Sequence, residues 1–256
     1  ARSLRRGDHT LVALTPGMEA SWWPSLLVPL ALSETPLVLV VRDALRRRLL
    51  QVEWPRLRAV GLSLPCWEGP SAPPSAGLWL MSARELVEAW RRGVLGDHQL
   101  VIPEAEHLEG ELRAALEVVV RPGDWDPLRR AFPAAEEALL ALHERLSRRV
   151  FSQPRHPDQL VAVEEQEEVP LRDLLALLRS LPEPWPQWLE AAGPGWASWA
   201  RVDPALLQWH WIRQPLDPLD HLAALLEGRG TVLLGEVAAA GTDRAGPAGS
   251  RWRPQV

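Results

Sequence analysis

The sequence predicts an α/β protein built on a mostly parallel sheet covered by helices on both faces. Three observations carry that expectation. Short apolar runs rich in branched residues recur along the chain, helical periods separate them, and turn residues punctuate the joins. HTLVALT at 9–15 reads as a buried strand, and PLVLVV at 36–41 reads as another. Neither alternates apolar with polar, which is the mark of a strand buried on both sides. GLWLM at 77–81, HQLVI at 98–102 and TVLL at 231–234 complete a set of five.

The connections are equally readable. A proline-interrupted helix is expected over about 19–32, broken at Pro24 and Pro29. Residues 42–57 place Leu45, Leu49 and Val52 on one helical face. Residues 57–76 are rich in proline, glycine and serine and read as loop. Ser82 and Glu85 have the spacing of a capping box, opening a helix that stops near Gly93. Asp217-Pro218 reads as cap and first helical residue, with Gly228 as the stop.

Helical periods dominate the middle. Leu108, Leu112 and Leu116 share a face, as do Leu139, Leu142 and Leu146, and then Leu171, Leu174, Leu175 and Leu178. The expected organisation is a first α/β part at 1–104, a mainly helical insertion at 105–215, a return at 216–240 and a loose tail at 241–256.

Composition narrows the function classes. The 256 residues carry a net charge of -5, so the molecule as a whole is not a basic nucleic-acid binder. All 28 positive residues are arginine, with pairs and triplets such as Arg46-Arg47-Arg48, Arg129-Arg130 and Arg148-Arg149. These read as solvated helix faces, with a local basic groove as the sharper alternative. The lone Cys66 excludes an intramolecular disulfide and a four-cysteine iron–sulfur cluster, and its simplest reading is a buried thiol. No run of about 18 apolar residues is present, so no membrane helix is expected, and cytoplasm is the default location. The first residue is alanine, which suits a processed chain or a piece of a longer one. The 14 tryptophans stand beside two phenylalanines, and tyrosine, lysine and asparagine are missing altogether. That skew reads as a coding bias in which tryptophan fills aromatic core sites rather than base-stacking platforms.

One stretch points to chemistry. In LVIPEAEHLE at 100–109 an apolar strand runs into an acidic turn. Around it lie TLVALTPGMEAS at 10–21 with LVP at 27–29 behind it, VLVV at 38–41, and TVLLGEVA at 231–238. In this order the pieces resemble the first RecA-like lobe, of P-loop NTPase type, of DinG-type superfamily 2 DNA helicases, in particular its divergent cyanobacterial members. The resemblance covers about residues 8–238. It implies ATP and magnesium as cofactors, single-stranded or forked DNA as partner, and a second RecA-like lobe on sequence outside this chain. By position it makes Glu104 the water-polarising acid. Thr15, Gly17, Ser21 and Glu106 become remnants of the nucleotide site.

The motifs are degenerate. Ala20 stands where the phosphate-binding lysine belongs, and the chain has no lysine to offer. Pro103 replaces the aspartate that positions magnesium, and supplies neither a carboxylate nor an N–H. Gly235 and Glu236 replace the start of the serine-alanine-threonine motif. Glu104-x-x-His107 has metal-ligand spacing, but no second copy exists to complete a di-metal site. Gly61-x-Ser63-x-Pro65 lacks the last glycine of a nucleophile elbow. Three readings follow. The chain is a helicase-like motor lobe with a degenerate site, a non-catalytic RecA-like scaffold that binds nucleic acid or protein, or an unrelated α/β interaction domain.

Overall fold

Strands without polar alternation need cover on both faces. PLVLVV and GLWLM obtain it, whereas HTLVAL at 9–14 lies on the edge of the sheet, where its residues alternate exposed and half-buried and Leu11 is 65% exposed. The computed structural model describes residues 4, 6–14, 23–31, 36–62, 65–73, 77–152, 160–203 and 205–236. The chain begins with β1 (His9–Leu14), α1 (Trp23–Ala31) and β2 (Leu37–Val40). A long helical stretch follows as α2 (Asp43–Arg48), a π-helical turn (Leu49–Glu53) and α3 (Trp54–Ala59). The widened turn lies just ahead of Pro55, which has no N–H and whose ring crowds the carbonyl four residues back. Next come β3 (Cys66–Trp67), β4 (Leu78–Met81), α4 (Ala83–Arg91), β5 (Gln99–Ile102) and α5 (Leu108–Leu116). The middle of the chain contributes β6 (Val118–Val120), α6 (Trp125–Ala131), α7 (Glu136–Phe151), β7 (Leu160–Ala162), α8 (Glu165–Leu177), α9 (Trp185–Glu190), β8 (Trp196–Asp203) and β9 (Gln208–Pro215). The return is α10 (Pro218–Leu226) and β10 (Thr231–Glu236).

These elements form two compact units, Ala1–Ala115 with Leu219–Val256, and Leu116–Pro218. The first holds a six-stranded sheet in the order β1-β10-β5-β2-β4-β3, and every neighbouring pair is parallel. All four residues of β2 and of β4 are buried, as their continuous apolar runs demand. The five expected strands are all present. One more, the two-residue β3, lies on the edge of the sheet within the stretch expected to be loop. The Ser82 capping box is formed: its hydroxyl accepts from the Glu85 N–H at 3.3 Å, and Glu85 Oε2 accepts from the Ser82 N–H at 2.6 Å.

The second unit contains the expected helices and a sheet as well. The leucine seams do form helices, with Leu139, Leu146, Leu171 and Leu175 buried. Beside them lies a four-stranded antiparallel sheet, β6-β9-β8-β7, that periodicity did not disclose. On β9 the buried side chains include Trp209, Trp211 and Arg213, spaced two apart. An arginine in an inward position hides the alternation that marks a half-buried strand. β6 and β7 have three residues each, too short to show a period.

Tryptophan acts mainly as core. Trp54, Trp79, Trp125, Trp185, Trp188, Trp209 and Trp211 are all buried. In the second unit Trp125, Trp185, Trp188 and Trp211 form a chain of edge-to-face contacts, with centroids 4.8–6.0 Å apart. Each such pair contributes about 0.5–1.5 kcal/mol beyond its buried area. Among the described residues no helix is long and apolar enough to cross a membrane.

Candidate functional site

Side chains just beyond the carboxyl ends of neighbouring parallel strands are brought together by the sheet itself. β2 and β5 are neighbours, with Leu37 opposite Gln99 and Leu39 opposite Val101. Arg42 follows β2 by two residues, and Glu104 follows β5 by two, so the pair emerges side by side. Arg42 Nη2 donates to Glu104 Oε1 at 2.5 Å, and Nε donates to Oε2 at 3.0 Å. This is the bidentate fork, the strongest arginine–carboxylate geometry. The hydrogen bond to Glu104 raises the Arg42 pKa. Burial opposes that, and the charges of Glu104, Glu111 and Glu106 add to it.

Glu104 is held in an uncommon backbone state, with φ 56° and ψ 42°. For a residue with a Cβ the left-handed region costs about 1–2 kcal/mol. Glu106, two residues on, ties the same turn to the returning strand: its Oε2 accepts from the Glu236 N–H at 3.2 Å. Gly235 lies close against this turn. A Cβ there would sit 2.9 Å from Glu106 Oε2 and 3.4 Å from the Ala105 Cβ. An open cleft of about 450 Å³ lies alongside, lined by Arg42, Ser82, Arg84, His107 and Glu111 among others.

Of the residues that the resemblance singles out, Glu104 and Glu106 lie in one turn, each with an assigned partner. Thr15, Gly17 and Ser21 lie outside the described residues, as does Ser63. Arg42 was not foreseen as a site residue. The only signal for it is its position just after a buried strand, and the strand order turns that position into a contact. The described acidic turn does not fit a magnesium–nucleotide. Both oxygens of Glu104 already accept from a guanidinium, and Pro103 offers no side-chain carboxylate. Among the described residues no group of three or more His, Cys, Asp or Glu is disposed to hold a metal ion.

Several clustered arginines are committed locally. Arg46 pairs with Glu85 at 3.0 Å and donates to the Leu80 carbonyl at 2.9 Å. Arg148 pairs with Glu144, Arg149 with Glu167, and Arg129 with Asp126. Pairing of this kind engages these arginines with nearby carboxylates, and Arg46 and Arg129 are less than one-fifth exposed. Burial pushes the Cys66 thiol up to about 12, with Glu68 adding to the shift, so it is no nucleophile at neutral pH.

No family model matches the chain, and no curated protein matches it in sequence. Among solved structures it is similar to Xpd4 of S. tokodaii, at 12% identity and a TM-score of 0.54. The match covers 91% of this chain and 54% of that one, so the chain spans about half the length of its structural relative. Identity this low speaks for fold alone, and the fold is RecA-like: a parallel sheet flanked by helices, with Arg42 and Glu104 joined at its carboxyl edge.

Proposed function

We propose that this chain is a helicase-like protein, the first motor lobe of the DinG-type branch, whose nucleotide site is degenerate. Its partner in this reading is single-stranded or forked DNA, and the second lobe belongs to sequence outside these residues. The fold likeness and the order of the motif-like segments support the ancestry. The observation that carries the degeneracy is the Arg42–Glu104 fork. An acid meant to polarise water must aim a carboxylate oxygen at it, and both oxygens of this one are turned toward a guanidinium. On this reading the lobe alone does not hydrolyse ATP.

Charge supports the first unit as the one that meets DNA. The second unit, Leu116–Pro218, holds 11 arginines against 16 acidic residues, a net -5. The rest of the chain holds 17 of each and is neutral. A polyanion is repelled by the former and not by the latter. The same fork favours a second reading, a non-catalytic RecA-like scaffold for nucleic acid or protein, because it removes the catalytic role while leaving the fold intact.

Titration of labelled single-stranded and forked DNA, read by fluorescence anisotropy, tests the proposal. The expected result is binding that weakens as salt rises and that does not change when ATP and magnesium are added. No binding to either DNA would contradict the helicase-like reading and favour a protein scaffold.

A further inference from the structure

The turn after β5 is the place where the resemblance puts a divalent metal, and a cation is already there. Arg42 reaches Glu104 with two donors, at 2.5 and 3.0 Å, and Glu111 lines the same cleft. The Glu104 backbone is held in the left-handed region. Its carboxylate thus combines a fixed direction with a fixed partner.

We infer that Arg42 is a built-in cation that stands in for the divalent metal of the acidic motif, so that a guanidinium and not magnesium holds this turn. The inference rests on the helicase-like reading for what the metal would have been. The chemistry follows from the contacts. Magnesium demands near-octahedral oxygen ligands and gives up its waters reluctantly. To reach Glu104 it would have to displace a bidentate guanidinium, and would then face that positive charge at close range. Pro103 contributes no replacement carboxylate. Arginine keeps its proton at any working pH, so a cation of this kind is permanent. Removal of Arg42 reverses the situation. Glu104, Glu106 and Glu111 would then lack the cation that feels all three, and a hydrated divalent ion would be drawn to Glu104 without the three having to be its direct ligands.

Thermal unfolding of the full chain in EDTA and in millimolar magnesium chloride, at matched ionic strength, tests this. The wild-type midpoint should be the same in both. Arg42→Ala should melt lower in EDTA by about 2–4 °C, and magnesium should restore part of that loss. In Arg42→Ala combined with Glu104→Gln the magnesium response should vanish. A wild-type midpoint raised by magnesium would overturn the inference without any variant. So would an Arg42→Ala midpoint that is unchanged, or one that is lowered and insensitive to magnesium. Should Arg42→Ala not fold, Arg42→Gln keeps a polar side chain of similar reach without the charge, and should show the same magnesium response. An indifferent response there would also overturn the inference. These outcomes do not depend on DNA binding, so failure here is distinct from failure of the helicase-like reading.

Discussion

Among the described residues each unit contains one arginine–glutamate pair bridged at 2.5 Å, and the two pairs do different work. Arg42–Glu104 sits at the carboxyl edge of the parallel sheet with its side chains 40% and 28% exposed. Arg213–Glu168 lies inside the second unit at 1% and 10%. Arg213 is boxed in further. It donates to the carbonyls of Trp188 and Ala191, and its guanidinium lies 3.6 Å over the Trp188 ring. Burial lowers its pKa, against the pull of Glu168. The buried pair is a structural commitment, since either partner alone would be a naked charge in the core. The edge pair remains solvated, so its loss leaves the fold standing and changes what the site can hold.

Substitutions should separate these roles by size. Glu168→Ala should be the most damaging, costing about 3–5 kcal/mol because it strands the Arg213 charge. Denaturant unfolding followed by tryptophan fluorescence would measure it. Replacing both partners by Leu and Met should recover much of that loss. A Glu168→Ala variant as stable as wild type would erase the contrast between the pairs. Ser82→Ala removes one half of a capping box in the first unit and should cost about 1 kcal/mol, as read by the same titration.

A pH effect is expected in the second unit. His143 stacks on Trp125 at a centroid distance of 4.3 Å, and burial, helped by Arg129, holds its pKa below the ordinary 6.5. The folded state thus resists the proton that the unfolded chain accepts. Stability should be full above pH 6.5 and fall as the pH drops from there toward the folded pKa. The slope should flatten in His143→Phe, and an unchanged slope would assign it to other groups. Arg42→Ala should be the mildest in stability, at about 1 kcal/mol or less for a partly exposed pair, although it should produce the largest change in magnesium response.

The first unit was legible because its information is local or repetitive. β2 and β4, buried on both faces, read as unbroken apolar runs, and the capping box needs only Ser82 and Glu85 three residues apart. Glu104 and Glu106 were legible as an acidic turn after a strand. The function of that turn was not, because Arg42 lies 62 residues away and meets it only through the order of the strands. Gly235 looked like a lost motif, and its closeness to Glu106 appears only when β10 is laid beside β5. The second sheet stayed hidden because Arg213, a polar residue by sequence, occupies a core position, made tolerable by Glu168, two carbonyls and a tryptophan ring.

On the proposed reading the carboxylate at 104 is structural and performs no chemistry on nucleotide. Steady-state phosphate release from ATP, with magnesium and single-stranded DNA, measures this directly in the wild type and in Glu104→Gln. Both should match the rate without protein. Robust turnover by the wild type, abolished by Glu104→Gln, would show that the Arg42 fork opens and that the acid works as a catalyst.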